Sequence, residues 1–191
     1  MGMGQTKAYQ ETQSMNRAVP SGGVAGEAER ETAELYVRAD NAKLTRMERS
    51  VDLDWPVTEL FAFCSSMEGF LAQFPHKITK HEAPQRKWRK GDVVSFNWRQ
   101  FVGTTIWTAQ IFEYEENVMF ADAMVASNAS YMKVFEHTHR FEPLGANRTR
   151  YTDIIELSTK LGGFVDRVVA LPIVSSLFAK RHALLKKAVE R

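Results

Sequence analysis

The sequence predicts an α+β fold: a curved antiparallel sheet of about six to seven strands wrapped around a long C-terminal helix, with two short helices after the first strand. Three observations predict it. Alternation of apolar and polar residues at period two recurs in successive runs between Leu44 and Leu157. Two short helical patterns interrupt that alternation once, after its first run. The chain then closes on Phe164 to Arg191, where apolar positions recur every three or four residues. An antiparallel sheet must bury one face, and this last helix is the only element large enough to cover it.

Each element has its own local reason. The first 40 residues contain none of the twelve Phe or four Trp and carry "VPSGGVAGEAERETAE". Such a segment buries too little apolar surface to offset its ordering entropy. Residues 1–40 are therefore expected to form a flexible tail, with a short helix near Glu27 to Val37, and residues 41–191 a single domain. In "TRMERSVDLDW", Met47, Val51 and Leu53 alternate with Glu48, Ser50 and Asp52, the pattern of a half-buried strand. "WPVTELFAFCSS" opens a helix, with Pro56 at its start, Glu59 near its positive end, and Val57, Leu60, Phe61 and Cys64 at helical spacing. Ser65 and Glu68 have the spacing of a capping box for a second helix, "MEGFLAQF", which Pro75 stops.

Strands follow. "GDVVSFNWRQF" puts Val94, Phe96 and Trp98 on one face, and "TTIWTAQIFEYEEN" does the same for Trp107, Ala109 and Ile111. "VMFADAMV", "VFEHTHRFEP" and "RTRYTDIIELS" continue the alternation, the last with Tyr151, Asp153, Ile155 and Leu157 on one side. Gly91, Gly103, Glu116-Asn117, Ser127-Asn128 and Gly145-Ala146-Asn147 mark the turns between them. In the terminal helix Pro172 should kink or split the run. Six Lys or Arg against Asp166 and Glu190 make its outer face basic.

Composition bounds the function. The net charge of +2 comes from 25 basic and 23 acidic residues scattered along 191 positions, so nothing argues for a nucleic-acid partner. One cysteine, Cys64, excludes an intrachain disulfide and a cysteine-cluster metal site, and its apolar surroundings make it core filler. No run of about 18 consecutive apolar residues is present, and the N-terminus has no basic stretch leading into an apolar one. A cytoplasmic location is expected.

Several runs together resemble the START, pollen-allergen and polyketide cyclase superfamily, often labelled SRPBCC, over roughly residues 44 to 189. "PVTELFAFCSSMEGF" is similar to its helix entry with a "VFAF" core, "WTAQI" to its Trp-x-x-x-Ile strand, and "MFADAMV" to its Phe-x-Asp strand. "FEHTHRFEPLG" resembles a Trp-x-His-x-His-x-Phe-x-Pro run, and "RTRYTDIIEL" a Thr-x-x-x-Asp-x-Val-x-Tyr run. The order of these runs resembles the ligand-binding, or cyclase/dehydrase-like, subgroup. The chain departs from it at Phe135 (often Trp), Leu157 (often Tyr), Met124 (often Gln) and "ASNASY" (often Gly-Pro-Tyr), so no shared ligand is carried over. The resemblance implies the helix-grip fold and a cavity for a hydrophobic small molecule, in some members elaborated into an enzyme. It supplies no cofactor.

Strand parity sharpens the site. Phe135, His137, His139 and Phe141 share the face that must be buried. A hairpin through "LGAN" that keeps the apolar faces together puts Asp153 opposite either His139 or His137. Phe96, Trp98, Trp107, Phe135, His137, His139, Phe141, Tyr151 and Asp153 are the expected ligand-binding residues, with Asp122 a further candidate for the polar patch. A metal would need a third ligand beside the two histidines, for which Asp153 is the candidate, and none is expected. An enzyme would use His137 or His139 as general base, oriented by Asp153. Trp88, between Lys87 and Arg89 beside a turn, is expected at the pocket rim or an interface, its loss leaving stability nearly unchanged.

Three functions follow in order. The first is a protein that carries or sequesters a hydrophobic small molecule between sheet and terminal helix. The second is a cyclase or dehydratase working through a His-Asp general base. The third is a module that docks on a membrane or partner through the basic last helix. Oligomeric state is left open by the sequence.

Overall fold

The computed structural model describes residues 36, 43–99, 103–129 and 131–190. The expected tail, residues 1–40, lies outside the described residues apart from Tyr36. That residue donates its backbone N–H to Gln110 Oε1 at 3.0 Å, hydrogen-bonds the Glu136 carboxylate through its hydroxyl, and sets its ring 5.1 Å from that of Phe112.

The sheet has seven strands: β1 (Thr45–Leu53), β2 (Ile78–Glu82), β3 (Val93–Arg99), β4 (Thr104–Glu115), β5 (Met119–Ser127), β6 (Met132–Gly145) and β7 (Arg148–Thr159). Every pairing is antiparallel, in the order β1-β7-β6-β5-β4-β3-β2. Register shifts in β2, β4, β6 and their partners add local bends and twist, which is how a sheet curves around a helix. Asn117 and Gly145 occupy positive φ at the two tight hairpin turns flanking β5 and β6, as the turn signals require.

Helix α1 (Val57–Cys64) and helix α2 (Met67–Gln73) follow β1. The cap of α2 differs from the expected box. Ser66 is the N-cap, its hydroxyl accepting from the Gly69 N–H at 3.1 Å, whereas the Ser65 hydroxyl turns back to donate to the Phe61 carbonyl at 2.7 Å. The residue three positions past the true cap is glycine, so no reciprocal carboxylate bond forms. Gly69 is required there: a Cβ would come within 1.9 Å of the Phe63 carbonyl oxygen.

After β7, one helical turn (Gly163–Val165) and a π-helical turn (Asp166–Ala170) lead into helix α3 (Leu171–Val189). Pro172 sits in the first turn of α3. Having no N–H, it leaves the carbonyl four residues back unpaired, and the wide turn immediately before it absorbs that gap. The expected split thus takes the form of a change in helical pitch. Asp166 anchors the entry, accepting from the Thr159 N–H at 2.9 Å and the Thr159 hydroxyl at 2.5 Å. The run Gly163–Val189 is long and apolar enough by composition to cross a membrane. Here Val174, Phe178, Arg181, His182 and Leu185 form a buried face on α3. Val174 and Phe178 pack with Ile155 and Leu157 of β7, and Leu185 joins the main core with Val51, Leu60 and Tyr151.

Trp88 departs from expectation. It is 5% exposed and belongs to the main core, its ring 6.2 Å from Phe70 and 6.3 Å from Phe120. Its backbone N–H bonds the Ser65 carbonyl at 2.7 Å, which turns the side chain of a charged loop under α1 and α2.

Candidate functional site

Register builds the site. His139 of β6 stands opposite Asp153 of β7 and Phe120 of β5, and His137 stands opposite Ile155 and Asp122. All these side chains alternate onto the concave face. The two imidazole rings lie 3.8 Å apart, and Phe120 stacks on His139 at 4.0 Å.

Asp153, fully buried, is the hub. Its Oδ1 accepts from His137 Nε2–H at 2.7 Å and from the Tyr151 hydroxyl at 2.6 Å. Its Oδ2 accepts from His182 Nε2–H at 2.8 Å, with Arg181 Nε at 3.9 Å. Because the phenol proton goes to Asp153, the 2.6 Å contact between His139 Nδ1 and the Tyr151 oxygen needs a proton on Nδ1. Arg181 Nη2 donates to the same oxygen at 3.3 Å and also lies 3.4 Å from His139 Nδ1, and Arg181 Nε donates to Gln73 Oε1 at 3.1 Å. His137 Nδ1 lies 3.6 Å from Asp122 Oδ2, and His139 Nε2 is within hydrogen-bond distance of the same oxygen at 3.4 Å, where the carboxylate can only accept.

Burial would raise the pKa of Asp153, but Arg181, His137 and His182 outweigh it and hold the carboxyl well below its usual range. Burial works against the charge on Arg181, yet Tyr151 and Asp153 keep it protonated, above its ordinary pKa. Burial, with the Asp153 charge, pushes the Tyr151 phenol well up. Burial, then His137, lowers His139 to about 3, against a smaller opposing effect of Asp122. His139 is accordingly neutral across the physiological range.

In front of this network lies a cavity of about 620 Å³. Phe70 of α2, Phe74 just past its end, Trp88 of the loop before β3, Phe96 and Trp98 of β3, and Trp107 of β4 supply its aromatic wall, and Val174, Leu177 and Phe178 of α3 also line it. Asp122, His137, His139 and Arg181 form one polar end. Among the residues anticipated from sequence, Phe96, Trp98, Trp107, Phe135, His137 and His139 line the cavity. Phe141, Tyr151 and Asp153 stand behind its wall. Phe141 packs on Phe61 at 5.0 Å and Tyr151 at 5.1 Å as core, and Tyr151 and Asp153 reach the cavity through His137, His139 and Arg181. The combination His137, His139 and Asp153 weighed as a metal set does not converge, since Asp153 commits both oxygens to protein donors.

Sequence reasoning missed Arg181, His182 and Gln73. The available signal was helical spacing: Val174, Phe178, Arg181, His182 and Leu185 share one face of α3, so a helix covering the sheet must bury a cation and an imidazole with its apolar residues.

No family model and no curated protein matches the sequence. Solved structures do resemble the fold. The Zhui aromatase/cyclase of a Streptomyces species shares 16% identity over 76% of this chain and 91% of its own, with a TM-score of 0.58. A START superfamily protein from Mycobacterium smegmatis shares 14% over 76% and 97%, also at 0.58. Norcoclaurine synthase from Thalictrum flavum, solved in complex with dopamine and hydroxybenzaldehyde, shares 11% over 90% and 96%, at 0.59. At these identities the likeness establishes the fold.

Proposed function

With the helix-grip fold as premise, we propose that the protein binds a hydrophobic small molecule in the cavity between sheet and α3, carrying or sequestering it. One observation supports the reading above others: a cavity of about 620 Å³ with aromatic walls and a cluster of polar groups, Asp122, His137, His139 and Arg181, at one end. Small-molecule sites combine that size, an apolar lining and a few convergent polar groups. Neighbours of the same fold include a structure solved with two small aromatic molecules. Native mass spectrometry of protein purified from its host should show a bound apolar compound, and an apolar fluorescent probe should be displaced by it. A protein that binds no such probe, and whose Trp98→Ala variant responds as wild type does, would contradict the reading.

A second reading follows from the His137–Asp153 pair. A 2.7 Å bond to a buried carboxylate orients the ring and leaves Nδ1 free at the cavity, as a general base acting beside a carbonyl requires. His139, with its lowered pKa, is the poorer base. A substrate turned over by wild type and bound but not turned over by His137→Ala would select this cyclase- or dehydratase-like activity. Membrane docking, the third function, finds its support away from the basic face. Leu161, Phe164 and Ile173 are 68%, 80% and 65% exposed around the start of the α3 run, and Ile173 also lines the cavity. Vesicle flotation lost in Phe164→Asp would favour it.

A further inference from the structure

We propose that Asp122, His137 and His139 form a binding site for one divalent first-row transition metal ion of the zinc or cobalt class, open to the cavity. The third ligand considered from sequence is Asp153, which the structure commits to protein donors. Asp122 faces the histidines instead, from the neighbouring strand.

The donor set fits on three grounds. The ligand atoms His137 Nδ1, His139 Nε2 and an Asp122 carboxylate oxygen all lie within 4.8 Å of one another. Asp122 Oδ2 is 3.6 Å from the first and 3.4 Å from the second. A tetrahedral ion with ligands at about 2.0–2.1 Å has edges of roughly 3.3–3.4 Å, which the two carboxylate–nitrogen distances already approach. Next, each histidine already donates its other N–H to an anchor: His137 to Asp153 directly, His139 to Asp153 through the Tyr151 hydroxyl. Carboxylate-held imidazoles of this kind are what fix tautomer and aim in metal sites. Finally, Asp122 Oδ2 and the two ring nitrogens face one another across 3.6 Å and 3.4 Å, the second a hydrogen bond that an ion would replace. Arg181 is paired with Asp153, whereas among the described residues the ion-pair-distance partners of Asp122 are His137 and His139. A divalent cation satisfies all three.

Two histidines and one carboxylate leave coordination positions unfilled, and these open on the aromatic cavity. The ion would there hold an oxygen of the bound molecule. That role rests on the ligand-binding reading, whereas the ion's presence does not.

The full-length protein, freed of metal with a chelator, is titrated with Co²⁺ alone and separately with Zn²⁺, then desalted. One equivalent of Zn²⁺ should remain, and Co²⁺ should give the intense visible absorption of a low-symmetry site. Asp122→Asn should weaken both by at least about ten-fold. His81→Gln, on an exposed edge strand, should not. Folding is checked by circular dichroism, and Asp122→Ala replaces Asp122→Asn if the latter does not fold. Absence of stoichiometric retention by wild type, or retention unchanged in the Asp122 variant, overturns the site. Probe binding to the metal-free protein tests the cavity separately, so loss of one reading is told apart from loss of the other.

Discussion

Asp153→Asn tests the hub most directly. The substitution keeps shape and volume, but it removes the charge that faces Arg181 Nε at 3.9 Å. At an effective dielectric of about 20 that attraction amounts to roughly 4 kcal/mol, and breaking a buried pair while one charge stays behind costs about 3–5 kcal/mol. Hydrogen bonding adds to the loss. Asp153 accepts from His137 and Tyr151 on one oxygen and from His182 on the other, and an asparagine nitrogen on either side meets a donor. Urea unfolding followed by tryptophan fluorescence should show a loss of about 3–5 kcal/mol with an unchanged slope, and a melting temperature lower by roughly 10 °C or more. Asp122→Asn, on a half-buried residue of the cavity wall, should lose clearly less. A loss below about 1 kcal/mol for Asp153→Asn would refute the hub, since no other described carboxylate is placed to replace it.

Trp88→Ala should cost about 3 kcal/mol, the low end for a buried tryptophan because the side chain already borders a cavity, and a near-neutral result in urea unfolding would restore the rim placement. His139 has a folded pKa lowered to about 3 by burial and His137, against about 6.5 in the unfolded chain. The unfolded state therefore binds the extra proton first: stability of the metal-free protein is full above about pH 6.5 and should fall, by up to about 4–5 kcal/mol, as pH drops towards 3. His139→Gln should flatten that slope, and an unaltered pH profile would show that another group governs it. Burial pushes the Cys64 thiol up to about 12, so an aromatic disulfide reagent at pH 8 should label it only after denaturation, and rapid labelling of the folded protein would contradict the placement.

The fold was legible because its signals are local and mutually consistent. Period two in β1 and in β3 to β7, a helical period after Gly163, and turn residues at Asn117 and Gly145 each report backbone conformation without reference to distant parts of the chain. What failed was of another kind. Trp88 sits among charges in a turn, so its local pattern reads as surface. Its burial is decided by a backbone bond to Ser65 at the junction of two helices, which no window around Trp88 contains.

The histidine site shows where parity stops. Alternation sends His137 and His139 inward, and it sends Asp153 inward by the same rule. It then stops discriminating, because Asp122 on β5 meets that rule too. Each imidazole has two nitrogens and two inward carboxylates within reach, and choosing between them requires the pairing of Asp122 with His137 and of Asp153 with His139. The β4–β5 ladder carries two register shifts, so counting along the sequence could not have fixed the first of these pairings through its neighbour. It also requires α3, whose Arg181 and His182 occupy one side of Asp153 and thereby commit that carboxylate to structure. Asp122, without such a commitment, is left to the cavity. Two aspartates that look equivalent along the chain are thus separated in role by a helix that begins some twenty residues after the second of them.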